Sequence, residues 1–140
     1  MDTKKTTILY AEDDLDDLHL VQECFAEFED TIELLHVTNG QEAINLLDTL
    51  EQNGTLPCLI ILDINMPVMD GKQALVKIKS SLKYKDISTV MFTTSNSKMD
   101  ISFARVWGAD FITKPLRYED IADLAQEFSK RCNDEIGKRA

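Results

Sequence analysis

The chain reads as an α/β domain: a doubly wound, five-stranded parallel sheet with helices on both faces. Three observations predict it. Apolar runs and amphipathic stretches alternate five times along 140 residues, and crossovers through helices return every strand in the same direction. The third run, Leu59-Ile60-Ile61-Leu62, lacks the polar alternation of a half-exposed strand, so both its faces are covered. The length suits one core and is small for two, so residues 1–140 are expected to form a single domain.

The first strand is Thr6 to Ala11, ending at Glu12-Asp13-Asp14. From Leu15 the spacing turns helical, with Leu18, Val21, Phe25 and Phe28 completing an apolar stripe. Asp14 suits an N-cap, and Asp16 and Asp17 suit the positive end of the helix dipole. Glu12 and Asp13 precede the helix, where capping explains them less well. Ile32 to Val37 is the second strand; Asn39-Gly40 then turns the chain into a helix with Ala43, Ile44, Leu47 and Leu50 on one face. Asn53-Gly54 and Pro57 end it.

The central strand runs straight into Asp63, and Pro67 forbids its continuation. Met69-Asp70-Gly71 is a turn whose glycine is free to take positive φ. The next helix buries Ala74, Leu75 and Ile78 and leaves Lys72, Lys77 and Lys79 to solvent. Ser88 to Phe92 is the fourth strand, followed by Thr93-Thr94-Ser95. A helix from about Met99 to Trp107 stops at Gly108, and a fifth strand, Asp110 to Thr113, ends at Lys114-Pro115. The last helix spans Tyr118 to Cys132, with a polar tail from Asn133.

The net charge of −10 argues against direct nucleic-acid binding, which needs a basic face, and fits a cation site or a basic partner. Cys24, Cys58 and Cys132 have no metal-ligand or disulfide-framework spacing, so three free thiols in a reducing cytoplasm are expected. No apolar run nears membrane-spanning length. His19 and His36 offer no paired metal spacing.

If the strands are parallel, their carboxyl ends share one edge, which is where ligands bind in open α/β sheets. Glu12 and Asp13 arrive there after the first strand, Asp63 after the third, Thr93 after the fourth and Lys114 after the fifth. Three carboxylates so gathered repel one another, raising their pKa values or demanding a cation; a hard divalent ion, magnesium, suits few carboxylates and open water positions. Asp63 is then placed to attack phosphorus as a nucleophile, with Lys114 and the Thr93 hydroxyl neutralising the transferred oxygens.

Ile-Leu-Tyr-Ala-Glu-Asp-Asp, Leu-Asp-Ile-Asn-Met-Pro-Val-Met-Asp-Gly, Met-Phe-Thr-Thr-Ser and Gly-Ala-Asp-Phe-Ile-Thr-Lys-Pro, in that order, resemble a response-regulator receiver domain over nearly the whole chain. The resemblance implies a flavodoxin-like fold with strand order 2-1-3-4-5; a receiver protein is the familiar example of that order. It implies that Asp63 is the phosphoacceptor, that Glu12, Asp13, Asp63 and the backbone carbonyl of Asn65 hold Mg2+, and that Thr93 and Lys114 contact the phosphoryl group. Phe111 takes the place of the switch aromatic that moves with Thr93, without the hydroxyl of the more usual tyrosine. Thr94 is bulkier than the frequent alanine. The Lys114-Pro115 bond is often cis in such proteins.

The expected partners are a sensor histidine kinase or a phosphotransfer protein and a downstream protein target, with neither nucleic acid nor membrane. No output domain follows the last helix, so a stand-alone regulator is expected, signalling through the fourth and last helices and the strand between them. Trp107 and Tyr118 are candidates for that surface, with a core role as the alternative for Trp107, and a homodimer through the fourth-helix surface is what family analogy alone implies. Ile78 to Ile87 and Thr-Thr-Ser resemble regulators that serve phytochrome-type or hybrid kinases. Two alternatives stand beside this reading. One is a magnesium-dependent phosphohydrolase passing through an aspartyl phosphate, although Asn65 stands where such enzymes carry an acid/base aspartate. The other is a receiver-like interaction module that never takes phosphate.

Overall fold

The computed structural model describes residues 5–139; the side chains of Tyr118 and of residues 135–139 lie outside that description. Five strands, β1 (Thr6–Ala11), β2 (Ile32–Val37), β3 (Leu59–Leu62), β4 (Ser88–Thr93) and β5 (Asp110–Thr113), form one parallel sheet in the order β2-β1-β3-β4-β5. The crossovers run through α1 (Leu15–Phe25), α2 (Gly40–Gln52), α3 (Gly71–Lys79) and α4 (Lys98–Val106), and α5 (Tyr118–Arg139) follows β5. A short 3-10 turn, Ala26–Phe28, closes α1.

The alternation along β1 divides the interior into two layers. Ile8 and Tyr10 pack with Leu18, Val21 and Phe25 of α1 and Ala125 and Phe128 of α5; Leu9 and Ala11 pack with Leu47 of α2, Leu75 and Ile78 of α3 and Ala104 of α4. All four residues of β3 are buried, as a strand covered on both faces must be. Each crossover helix is started by a polar side chain that accepts a backbone N–H: Asp14 from Asp17, Asn39 from Glu42, Asp70 from Gln73 and Ser97 from Asp100. At α3 the Gln73 side chain returns the bond to Asp70, a reciprocal cap that fixes where the helix begins.

Register sets what emerges at the carboxyl edge. Ala11 lies opposite both Val37 and Leu62, so Glu12 and Asp63 leave the sheet side by side; the Asp63 N–H donates to the Ala11 carbonyl at 3.1 Å. Thr93 lies opposite Thr113, and the N–H of Lys114 donates to the Thr93 carbonyl at 2.7 Å. Two backbone bonds thus tie the last residues of separate strands into one rim.

Several sequence expectations are corrected. Gly71 does not have positive φ; a Cβ there would fall 2.0 Å from the Asp63 carbonyl oxygen, so glycine is required by close approach of α3 to the end of β3. The left-handed residue of this loop is Val68, with φ 66°, an uncommon and costly conformation for a β-branched residue. Leu15 is exposed rather than part of the apolar stripe, because it opens α1 above the edge of the sheet. Lys72 pairs with Asp100 and lies over the Phe103 ring, and Lys79 donates to the Lys85 and Ile87 carbonyls, so these two are fastened rather than free in solvent.

α5 continues past Asn133 to Arg139, since no proline interrupts it. Cys58 and Cys132 are not free thiols: they form a disulfide across 74 residues, with Cα atoms 5.1 Å apart, whereas Cys24 is free and buried. Spacing could not show this pair, because the packing of α5 across the start of β3 creates it. The Lys114–Pro115 bond is trans, as are all the described peptide bonds. Among the described residues no helix is long and apolar enough to cross a membrane.

Candidate functional site

Glu12 is almost wholly buried, which an ionised carboxylate tolerates only with partners. The Tyr10 hydroxyl donates to its Oε1 at 3.0 Å, and the Asp14 N–H donates to its Oε2 at 3.3 Å. His36 on β2 lies 2.7 Å from the Glu12 main-chain oxygen through Nε2; a carbonyl only accepts, so this nitrogen carries the proton. Burial, and then hydrogen bonding and repulsion with Asp63, push the Glu12 carboxyl up to about 7, against the pull of Lys114. Burial, followed by the Glu12 charge, likewise holds the Tyr10 hydroxyl far above its ordinary value, so it remains a donor.

The Lys114 ammonium spans the cleft. Its three N–H groups are matched by three carboxylate oxygens: Glu12 Oε1 at 2.5 Å, Asp17 Oδ2 at 2.8 Å and Asp63 Oδ2 at 2.9 Å. The Phe92 ring lies beneath it, with its centroid 5.8 Å away. Burial alone would lower the lysine pKa; the bonds to Asp17, Asp63 and Glu12 outweigh it and hold the pKa above the ordinary lysine value. The other Asp63 oxygen accepts from the Ile64 N–H at 2.7 Å, which fixes the carboxylate plane.

Glu12, Asp13 and Asp63 can each offer a carboxylate oxygen within 4.8 Å of the others. Two of the three, Glu12 and Asp63, are buried, and the Glu12 carboxyl has a raised pKa, so the group has excess negative charge that a divalent cation would relieve. Asn65 lines the same cleft, of about 570 Å³, together with Asp13, Asp63, Thr94 and Lys114.

The structure therefore gathers Glu12, Asp13, Asp63, Asn65 and Lys114. Thr93 and Phe111 are not among the residues that line that cleft. Thr93 is fully buried at the end of β4, its hydroxyl 3.4 Å from the Ser95 N–H, and its neighbour Thr94 faces the cleft. Phe111 is half-buried on β5 and lines a groove with Ile101 and Arg105 of α4. Trp107 packs on Phe103 and the core beneath α4; the Tyr118 side chain lies outside the described residues. Sequence reasoning treated Asp17 only as a helix-dipole acid and His36 as a strand residue. Asp17 is distinguishable only by what it reaches, Lys114, which lies 97 residues away in the chain.

Strand order, the acidic pocket and the lysine opposite it define a class. The sequence profile of the response regulator receiver domain matches residues 8–126, and the chain belongs to that family. Response regulator Rcp1 of Synechocystis is 31% identical over 85% of this chain and 83% of its own length. Its Mn(2+)-bound structure covers 87% of this chain and 90% of that one, with a TM-score of 0.75 at 30% identity. The phosphorylated cyanobacterial phytochrome response regulator RcpA covers 91% and 93%, with a TM-score of 0.83 at 29% identity. A probable methanogenesis regulatory protein of Methanothrix harundinacea, FilR2, is 30% identical over 88% of this chain and 81% of its own. The chain is thus a response regulator of two-component signalling, a family that takes phosphate from histidine kinases and acts on downstream targets. The acidic trio is the kind of pocket in which receivers bind a divalent metal.

Proposed function

We propose that this is a stand-alone, single-domain response regulator whose Asp63 accepts a phosphoryl group from a phosphohistidine of a sensor kinase or phosphotransfer protein in a magnesium-dependent reaction. One observation carries the reading: Asp63 shares the Lys114 ammonium with a buried glutamate, in a cleft open to solvent. Asp63 Oδ forms the new P–O bond as the P–N bond breaks, and the bonding pair leaves on the imidazole nitrogen. Lys114 then turns one N–H from Asp63 to a phosphoryl oxygen, where the positive charge stabilises the transferring group. Glu12, Asp13, Asp63 and the Asn65 main-chain carbonyl would hold magnesium, which supplies further neutralisation of the phosphoryl oxygens.

Thr93 would report the event. Its hydroxyl leaves the Ser95 N–H for the phosphoryl group, and the space it vacates draws Phe111 inward from the α4–β5 groove. The altered surface of α4, β5 and α5 is what a target protein would read. The likeness to RcpA and Rcp1 supports a phytochrome-type or hybrid kinase as donor. Because kinases make phosphohistidine from ATP, the site of action is the cytoplasm. Incubation with a cognate kinase and ATP should label the wild type and leave Asp63→Asn unlabelled. Equal labelling of both proteins would reject Asp63 as the acceptor.

A further inference from the structure

Lys114 must let go of Asp63 when that carboxylate becomes an acyl phosphate, and of Glu12 when Glu12 turns to a cation. Something else has to keep the ammonium at the cleft. Among its three carboxylate partners only Asp17 is free of both tasks: it does not belong to the trio of Glu12, Asp13 and Asp63.

Asp17 is also built to stay in place. It is the third residue of α1, and its N–H donates to the capping Asp14 Oδ1 at 3.0 Å, so its backbone is fixed by the start of the helix. Its side chain is about one-third exposed and so can bear a charge without the desolvation that burdens Glu12. The lysine side chain is only 8% exposed, with the Phe92 ring below it and Asp17 beside it. A surface acid serving the helix dipole alone would have no reason to reach a buried ammonium at 2.8 Å.

We propose that Asp17 is a positioning residue: it tethers the Lys114 ammonium at the phosphoryl position while Glu12 and Asp63 change partners. The inference deepens the phosphoacceptor reading and rests on it. Asp17 touches no reacting atom; it acts through the lysine.

The test is a double-mutant cycle on full-length protein, reading the rate of Asp63 phosphorylation by acetyl phosphate with magnesium, with thermal melts to check that each variant is folded. Asp17→Ala is expected to slow labelling about tenfold, since misplaced catalytic groups lose rate steeply, and Asp17→Asn, which keeps an oxygen acceptor, to recover most of it. In a Lys114→Ala background the Asp17→Ala change should have no further effect. A rate for Asp17→Ala at or above wild type, or an equal loss with and without Lys114, overturns the tether. If the wild type itself is not labelled, the phosphoacceptor reading fails, and the tether is judged by the 15N signal of the Lys114 ammonium in metal-free protein. That signal should shift or broaden in Asp17→Ala and not in Asp16→Ala; an unchanged signal in Asp17→Ala overturns the proposal.

Discussion

Two clusters in this molecule are made of the same chemical parts. At the carboxyl edge of β1, β3 and β5, Lys114 is shared by Glu12, Asp17 and Asp63. Between α3 and α4, Lys72 pairs with Asp100, which also accepts from Ser95, and the lysine lies over the Phe103 ring. In the second cluster one ammonium meets one carboxylate, and Lys72 and Ser95 hold Asp100 below the ordinary carboxylate range. In the first, three carboxylates compete for one ammonium, two of them, Glu12 and Asp63, buried, and Glu12 is driven up instead. Charge balance makes a clasp; charge excess makes a site that seeks a cation and an electrophile.

The largest expected contrast is kinetic. Lys114→Ala should lower the phosphorylation rate on the order of a hundredfold or more, as loss of a charge-stabilising donor does, whereas Lys72→Ala should leave it unchanged. Stopped-flow or gel-based labelling with acetyl phosphate measures both, and equal losses would erase the distinction.

Stability should separate the clusters next. Gly71→Ala pushes a methyl group against the Asp63 carbonyl, where backbone has no room to yield, and is expected to cost about 2–4 kcal/mol in urea unfolding, within the range of overpacked cores. It should also slow labelling, because the end of β3 must shift.

The pH dependence then differs in sign. In metal-free protein the folded chain protonates Glu12 near pH 7 whereas the unfolded chain waits until about 4.5, so stability should rise on acidification through that window. Glu12→Gln should remove that gain. Asp100 works the other way: its depressed pKa adds stability that disappears only as the pH falls below the ordinary carboxylate range. Chemical unfolding in chelator between pH 4.5 and 7.5 tests the first sign; a slope of opposite sign that Glu12→Gln abolishes would contradict it. The smallest effect belongs to the clasp itself. Asp100→Asn should cost about 1 kcal/mol or less, as exposed ion pairs do.

The contrast also shows what a sequence can and cannot reveal. The five strands were legible because each is a short apolar run bounded by turn or capping residues, and Glu12, Asp63 and Lys114 were legible because each directly follows one of those runs, with Asp13 next after Glu12. Register then does the rest: Ala11 beside Leu62 and Thr93 beside Thr113 bring the groups together. Asp17, by contrast, sits inside a helix and looks like any acid in a first turn. Cys58 and Cys132 carry no spacing signal, because α5 meets β3 only after folding. Gly71 was legible as a necessary glycine but for the wrong reason, since close approach and positive φ leave the same residue in the sequence. Lys72 looked solvated because its partner, Asp100, lies on the next helix.

The most direct test is an intact-mass and peptide-mapping measurement on protein incubated with acetyl phosphate, with and without Mg2+. The account predicts a single phosphoryl addition that maps to Asp63, requires the metal, and disappears in Asp63→Asn. Addition that persists in chelator, or that maps to another residue, would contradict it.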